Sequence, residues 1–203
     1  MMKKKEPAAR GRPSRRHEIV AATEMLIRTK GLASVTTRAI AEQANCSEAA
    51  LYVHFESRLK LLLAVLEESL PDMLAPLHAL ERAIGKSTPQ QNLVRTLRAI
   101  YTFQERVIPM LNSLFADPAL LTAYRESLVS RQKGPHGALG RLQRYISAEQ
   151  KLNRIHPKLD PEIAATMLMA SSFFKAFTSQ FFAEPGPSDA VLKKLVAAAI
   201  DKN

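Results

Sequence analysis

The chain has 203 residues, 46% of them hydrophobic and 24% charged, with a net charge of +10, a composition that buries a core and excludes a disordered polymer. Its longest apolar stretches, such as 163–170, are broken by Thr, Ser or charged residues before the roughly 20 residues of a membrane span, and no apolar run follows Lys3, Lys4 and Lys5 to make a signal peptide. The single Cys46 excludes an internal disulfide and fits a reducing, cytoplasmic location.

From the N-terminus, residues 1–13 read as a basic flexible arm. Lys3, Lys4, Lys5, Arg10, Arg12, Arg15 and Arg16 stand against Glu6 alone over residues 1–16, whereas residues 17–60 carry five cations and five anions. Arg10-Gly11-Arg12-Pro13 is an extended segment suited to a narrow minor groove, because Gly admits close approach while Arg10 and Arg12 flank it. Composition alone fits a solvated tail as well.

No segment alternates with the period of a strand, and 3.6-residue stripes recur throughout, so the fold class is all-α. Ser14 predicts the cap of a first helix with Ile19, Ala22 and Leu26 inward, and Gly31 a left-handed residue past its end. A short helix runs from Thr36 or Thr37 to Ala44 with Ile40 and Ala44 inward. After Asn45-Cys46-Ser47, Ser47 caps a helix with Leu51 and Phe55 inward. Ser57 caps a long helix from Arg58 to the low eighties, which Pro71 and Pro76 should kink or divide. Further helices are expected at about 88–106, 107–115, 118–132, 136–150, 161–183 and 188–201, punctuated by Gly and Pro. The expected domains are 14–60 and 61–203.

Residues 37–55 therefore present two short helices joined by a three-residue turn, the geometry that projects a second helix into a DNA major groove, although an ordinary helical hairpin has the same spacing. Asn45 suits a left-handed turn residue. The second helix starts with small or polar residues, Ser47, Glu48, Ala49 and Ala50, which let a surface approach base edges. Tyr52, His54, Thr37 and Arg58 offer hydrogen bonds to phosphates, and each singly also fits a surface or half-buried role. Glu48 suits either a cytosine amino group or its own helix start.

Over about Ile19 to Leu62, through "TTRAIAEQANCSEAALYVHFESRLKLL", the sequence resembles the TetR family of bacterial regulators, most specifically at Leu51-Tyr52-Val53-His54-Phe55 and Ser57-Arg58. It departs in having Asn45 where Gly is usual, Cys46 where Val is usual, and Ala49-Ala50 where Gly-Thr is common. The resemblance implies a dimer of nine- or ten-helix protomers with DNA-binding heads and a ligand-binding body. It also implies that Thr37, Tyr52, His54 and Arg58 position phosphates, while Arg38, Ser47, Glu48, Ala49 and Ala50 face the groove.

In the helix expected at 161–183, Ala165, Met169, Ser172, Ala176, Ser179 and Ala183 form a stripe of mostly small residues, read as the dimer seam with Leu192, Leu195, Val196 and Ala199 of the last helix, although a helix fully buried in a monomer fits the same pattern. A bulky stripe of Ile163, Met167, Ala170, Phe174, Phe177 and Phe181 is expected to enter the protomer. Phe103, Met110, Phe115, Met167, Phe174 and Phe177 suit an apolar pocket with Tyr101, Glu105, Asn112 or Tyr124 as polar anchors, although Met and Phe at helical spacing more often form plain core.

There is no Gly-rich phosphate loop, nucleophile elbow or Cys/His cluster of metal spacing, so neither catalysis nor a cofactor or metal is expected. The expected partners are operator DNA, a second copy of the chain and a small apolar or amphipathic ligand. The expected function is a dimeric, ligand-released repressor acting at the nucleoid. The alternative is a helical adaptor or nucleoid-type protein without an effector.

Overall fold

A computed structural model describes residues 14–31, 34–130, 135–182 and 185–201. Among the described residues there are nine α-helices: α1 Arg15–Lys30, α2 Thr37–Gln43, α3 Glu48–His54, α4 Arg58–Arg82, α5 Pro89–Phe115, α6 Pro118–Ser130, α7 Pro135–Lys151, α8 Pro161–Phe182 and α9 Asp189–Ile200. None of the described helices is long and apolar enough to cross a membrane. The chain divides into two compact units, 1–65 and 66–203, with the boundary inside α4.

Local chemistry sets the helix starts. The hydroxyls of Ser14, Thr36, Ser47, Ser57, Thr88 and Ser188 each accept a backbone N–H from the first turn that follows, satisfying donors with no partner inside the helix. The Asp117 and Asp160 carboxylates do the same for α6 and α8. Four helices begin with Pro, at Pro89, Pro118, Pro135 and Pro161, where the missing N–H costs no helical bond and the fixed φ is already helical. Gly31 has φ 74 and ψ 164, so it is not in the left-handed helical basin expected of it. It occupies the extended region at positive φ that essentially only Gly tolerates.

Two expected breaks are absent. α5 runs unbroken through Pro109, joining the two helices anticipated at 88–106 and 107–115. Val107, Ile108 and Met110 around that proline are all buried, and at about 1.5–3 kcal/mol per buried side chain they outweigh a lost hydrogen bond. α4 is likewise undivided at Pro71 and Pro76, with Leu77 and Leu80 anchored in the core beyond them.

The first unit closes over Ile19, Leu26, Val35, Ile40, Leu51 and Phe55. In the second, α8 packs on α5 and α7, and α9 on α5 and α8, around Leu93, Ile100, Leu142, Tyr145, Leu168 and Val196. That core contains a polar knot. Asn92 donates from Nδ2 to the Lys86 carbonyl at 2.8 Å and the Tyr145 hydroxyl at 3.0 Å. Burial pushes the Tyr145 phenol up to about 12; the Asn92 bond opposes this and the negative Glu149 adds to it.

The two stripes of α8 are exchanged relative to expectation. Ala165, Ser172 and Ala176, taken from the sequence as dimer seam, are buried inside the single chain, as are Leu192, Val196 and Ala199 of α9. Met169 and Leu195 pack partly against the same core, and Ser179 is half-buried, donating to the Ala176 carbonyl. The bulky stripe lies outside: Ile163 is 60%, Phe174 63% and Phe181 66% exposed. Small residues permit close helix approach wherever it occurs, and here they admit α5 and α7 of the same chain.

Candidate nucleic-acid interface and ligand cavity

The turn between α2 and α3 is held by the Asn45 N–H donating to the Glu42 carbonyl at 3.2 Å and the Cys46 N–H to the Ala41 carbonyl at 2.9 Å. Asn45 adopts φ 51, the left-handed conformation its short polar side chain tolerates. Ala41 is buried where α2 meets α3. Leu51 and Phe55 fasten α3 by its inner face, with the Arg16 guanidinium over the Phe55 ring at 5.0 Å. Arg15 lies within α1 and pairs with Glu18, so these two basic residues belong to the folded head.

Fastening the inner face turns the other side of α3 to solvent. Ala49, Tyr52 and His54 are exposed, and Ala50 is half-buried with its N–H on the Ser47 hydroxyl. The Thr37 hydroxyl donates to Glu48 Oε2 at 2.6 Å. This bond ties the first turn of α2 to the first turn of α3, so Glu48 acts as a strut between the two helices. Arg38 donates from Nε to Glu42 at 3.0 Å, with both side chains largely in water, and the Glu42 hydrogen bond followed by its charge raises the arginine pKa. Such an exposed pair is held weakly, and its guanidinium can exchange Glu42 for another anion. Arg58 is exposed at the start of α4. Arg10 and Arg12 lie outside the described residues.

The sequence-derived set omits Val53. At 80% exposed it is the most exposed large hydrophobic residue of α3, turned away from the buried Leu51 and Phe55, a direction that the inward placing of those two residues already implied.

In the second unit, α5 and α8, with Leu139 of α7, line an open-mouthed cavity of about 810 Å³, within the size range of small-molecule sites. Of the residues expected there, it is lined by Phe103, Asn112, Phe115 and Phe177. The others lie elsewhere. Met110 is packed in the core, and Met167 and Phe174 face outward. The Tyr101 hydroxyl donates to Glu105 at 3.1 Å, with its ring against Gly186. Tyr124 is a further residue outside the lining; burial, then Glu67, raises its phenol. On α8 the lining is Thr166, Met169, Ala170, Phe173 and Phe177, which joins Met169 of the small stripe to Ala170 and Phe177 of the bulky one through Thr166 and Phe173, so the site straddles the edge between the two faces. Phe173 stacks on Phe177 at 6.3 Å, and Phe177 meets Phe181 edge-on at 5.1 Å. The cavity wall thus continues into the exposed aromatic face. Among the described residues no group of His, Cys, Asp and Glu is placed to hold a metal.

Residues 19–65 match the sequence model of the bacterial regulatory proteins of the tetR family. The nucleoid occlusion factor SlmA of Aliivibrio fischeri is 33% identical over 122 residues, covering 51% of this chain and 62% of that protein, so the match spans less than two thirds of the relative. A TetR-family transcriptional regulator from Mesorhizobium loti shares the fold with a TM-score of 0.71 at 17% identity, over 91% of this chain and 92% of that one. FadR of Bacillus subtilis, solved in complex with stearoyl-CoA, has a TM-score of 0.66 at 16% identity, over 91% of this chain and 97% of that one.

Proposed function

We propose that this chain, which carries the DNA-binding head of the TetR family of bacterial regulators, is a dimeric repressor that binds a pseudo-palindromic operator and is released by a small apolar or amphipathic ligand. The observation that carries the DNA reading is α3, anchored by Leu51 and Phe55 with Ala49, Tyr52, Val53 and His54 turned outward. Ala49 and Ala50 allow close approach, and Val53 suits apolar contact with a thymine methyl. Tyr52, His54 and Arg58 suit phosphates, and Arg38 joins them on leaving Glu42. Thr37 and Glu48 act through each other, setting the angle of α3. The arm at residues 1–13 supplies most of the bulk attraction, since residues 14–60 carry seven cations against five anions.

Selection of bound sequences from a random DNA pool tests this reading. Two inverted half-sites in fixed register are expected, flanked by A·T-rich sequence where the arm enters the minor groove, with Arg38→Ala and Tyr52→Ala weakening the selected sequence in a mobility shift. Recovery of no motif would leave the second reading, a nucleoid-associated protein without an effector, which the similarity to SlmA favours.

The dimer face in this reading is the exposed side of α8. Ile163, Met167, Phe174 and Phe181 present a contiguous apolar surface of the kind that marks an interface. Phe174→Lys is expected to convert the dimer to monomer in light scattering with the helical signal intact; an unchanged mass would move the dimer elsewhere. Phe177 lies both in the cavity wall and on this aromatic face, so a ligand packed against it bears on the dimer geometry. Release then requires the ligand to bind the DNA-free arrangement more tightly than the DNA-bound one.

A further inference from the structure

The cavity between α5, α7 and α8 has a floor and a mouth of different character. Val107, Ile108 and Gln104 form the buried floor, while Asn112, Phe115 and Thr166 are exposed at the mouth. Among the described residues no charged side chain lines it. An ionised ligand head drawn to the floor would lose its water without gaining a counter-charge, a strongly unfavourable exchange.

Gln104 is the one polar group of the floor, 8% exposed. Its Oε1 accepts the Ser172 hydroxyl at 2.6 Å, and Ser172 is itself 2% exposed. That bond is the only one recorded for the Gln104 side chain among the described residues. Its amide NH2 therefore remains as an unspent pair of donors beside an apolar space. Among the described residues Nε2 is not sealed from solvent, so water meets it through the cavity; an apolar ligand that displaces this water leaves the donor unpaired at a cost, and a ligand acceptor removes that cost.

Building on the ligand-response reading above, we infer that this cavity takes an uncharged apolar molecule carrying one carbonyl-type acceptor, which the Gln104 amide reads while Ser172 holds that amide in place. An anionic or cationic amphiphile of the same length is the wrong ligand for the floor. Gln104 is a specificity residue, and the flanking Phe103, Phe173 and Phe177 supply the apolar contact.

The test is displacement of the uncharged dye N-phenyl-1-naphthylamine from the full chain, which has no Trp to interfere. Four competitors of matched length separate the terms: 2-undecanone, undecane, decanoate and decyltrimethylammonium. The ketone is expected to bind about tenfold or more tightly than either ion. Gln104→Leu is expected to weaken 2-undecanone roughly threefold to tenfold, the value of one hydrogen bond, and to leave undecane bound as tightly or more tightly. Decanoate or decyltrimethylammonium equalling the ketone in the unmodified chain overturns the assignment, as does absence of displacement by all four. Equal weakening of ketone and alkane by Gln104→Leu overturns the role of Gln104. Operator release is scored separately by mobility shift. If the ketone binds in this order and the operator stays bound, the ligand class stands and the ligand-response reading falls.

Discussion

Ala49→Glu is expected to lower operator affinity by about 100-fold or more, ~2.7 kcal/mol, while leaving the head as stable as before. Ala49 is exposed in the first turn of α3, where an acidic side chain favours the helix through its N-terminal dipole. Glu48 beside it does not share its face, since adjacent helical residues point apart. Loss of binding therefore cannot be assigned to unfolding. If α3 lies in the major groove, the new carboxylate meets a polyanion at a surface that carries no other acidic group on that face, and like charges brought together at an interface cost several kcal/mol. A thermal melt of the variant and a mobility shift on the selected operator separate the two effects. A drop of less than about fivefold with an unchanged melt would place the start of α3 away from the bases and return the head to an ordinary helical hairpin.

The head is legible in the sequence because each of its boundaries is set by local chemistry. Ser14, Ser47 and Ser57 cap as their positions suggest, and Asn45 turns left-handed where a three-residue turn requires it. The body is less legible because its decisions are tertiary. Pro109 reads as a break, yet helix α5 continues since the side chains around it are buried on a surface that the local sequence does not describe. In α8, periodicity groups Ala165 with Ser172 and Ala176, and Ile163 with Phe174 and Phe181, but it carries no sign telling which group meets α5 and which meets solvent. The cavity follows from that sign. It opens on the flank holding Met169 and Phe173, residues next to those that a two-face reading assigns to it. Gln104 could have been noticed in the sequence as an amide between Phe103 and Val107 on an otherwise apolar face; its partner Ser172 lies 68 residues away and only the fold joins them.

Glu149→Ala is expected to cost the second unit about 3–5 kcal/mol, the range for removing one partner of a buried ion pair, against a total stability of roughly 5–15 kcal/mol. Glu149, on the last turns of α7, is 0% exposed. Its Oε1 accepts the Gly85 N–H at 3.0 Å. Its Oε2 lies 3.2 Å from Arg154 Nε, an ion-pair contact without hydrogen-bond alignment. Arg154 in turn donates to the Lys86 and Ser87 carbonyls. The turn between α4 and α5, with Gly85 at φ 73 and Ser87 at φ 49, is thus held by groups from the end of α7 and beyond, and removing the carboxylate leaves the Gly85 N–H without its acceptor and the Arg154 guanidinium without its counter-charge. Glu149→Gln keeps an oxygen for Gly85 and loses the charge, so its cost should fall between the two. Urea unfolding followed by tyrosine signals of the second unit measures both variants. A loss below about 1 kcal/mol for Glu149→Ala would mean that burying the carboxylate costs as much as its contacts return. The position of the clasp gives the result a functional edge. α4 begins in the first unit and continues into the second, and Gly85 lies three residues beyond its last helical residue, so Glu149 fastens the second unit to the far end of the helix that leads to the first.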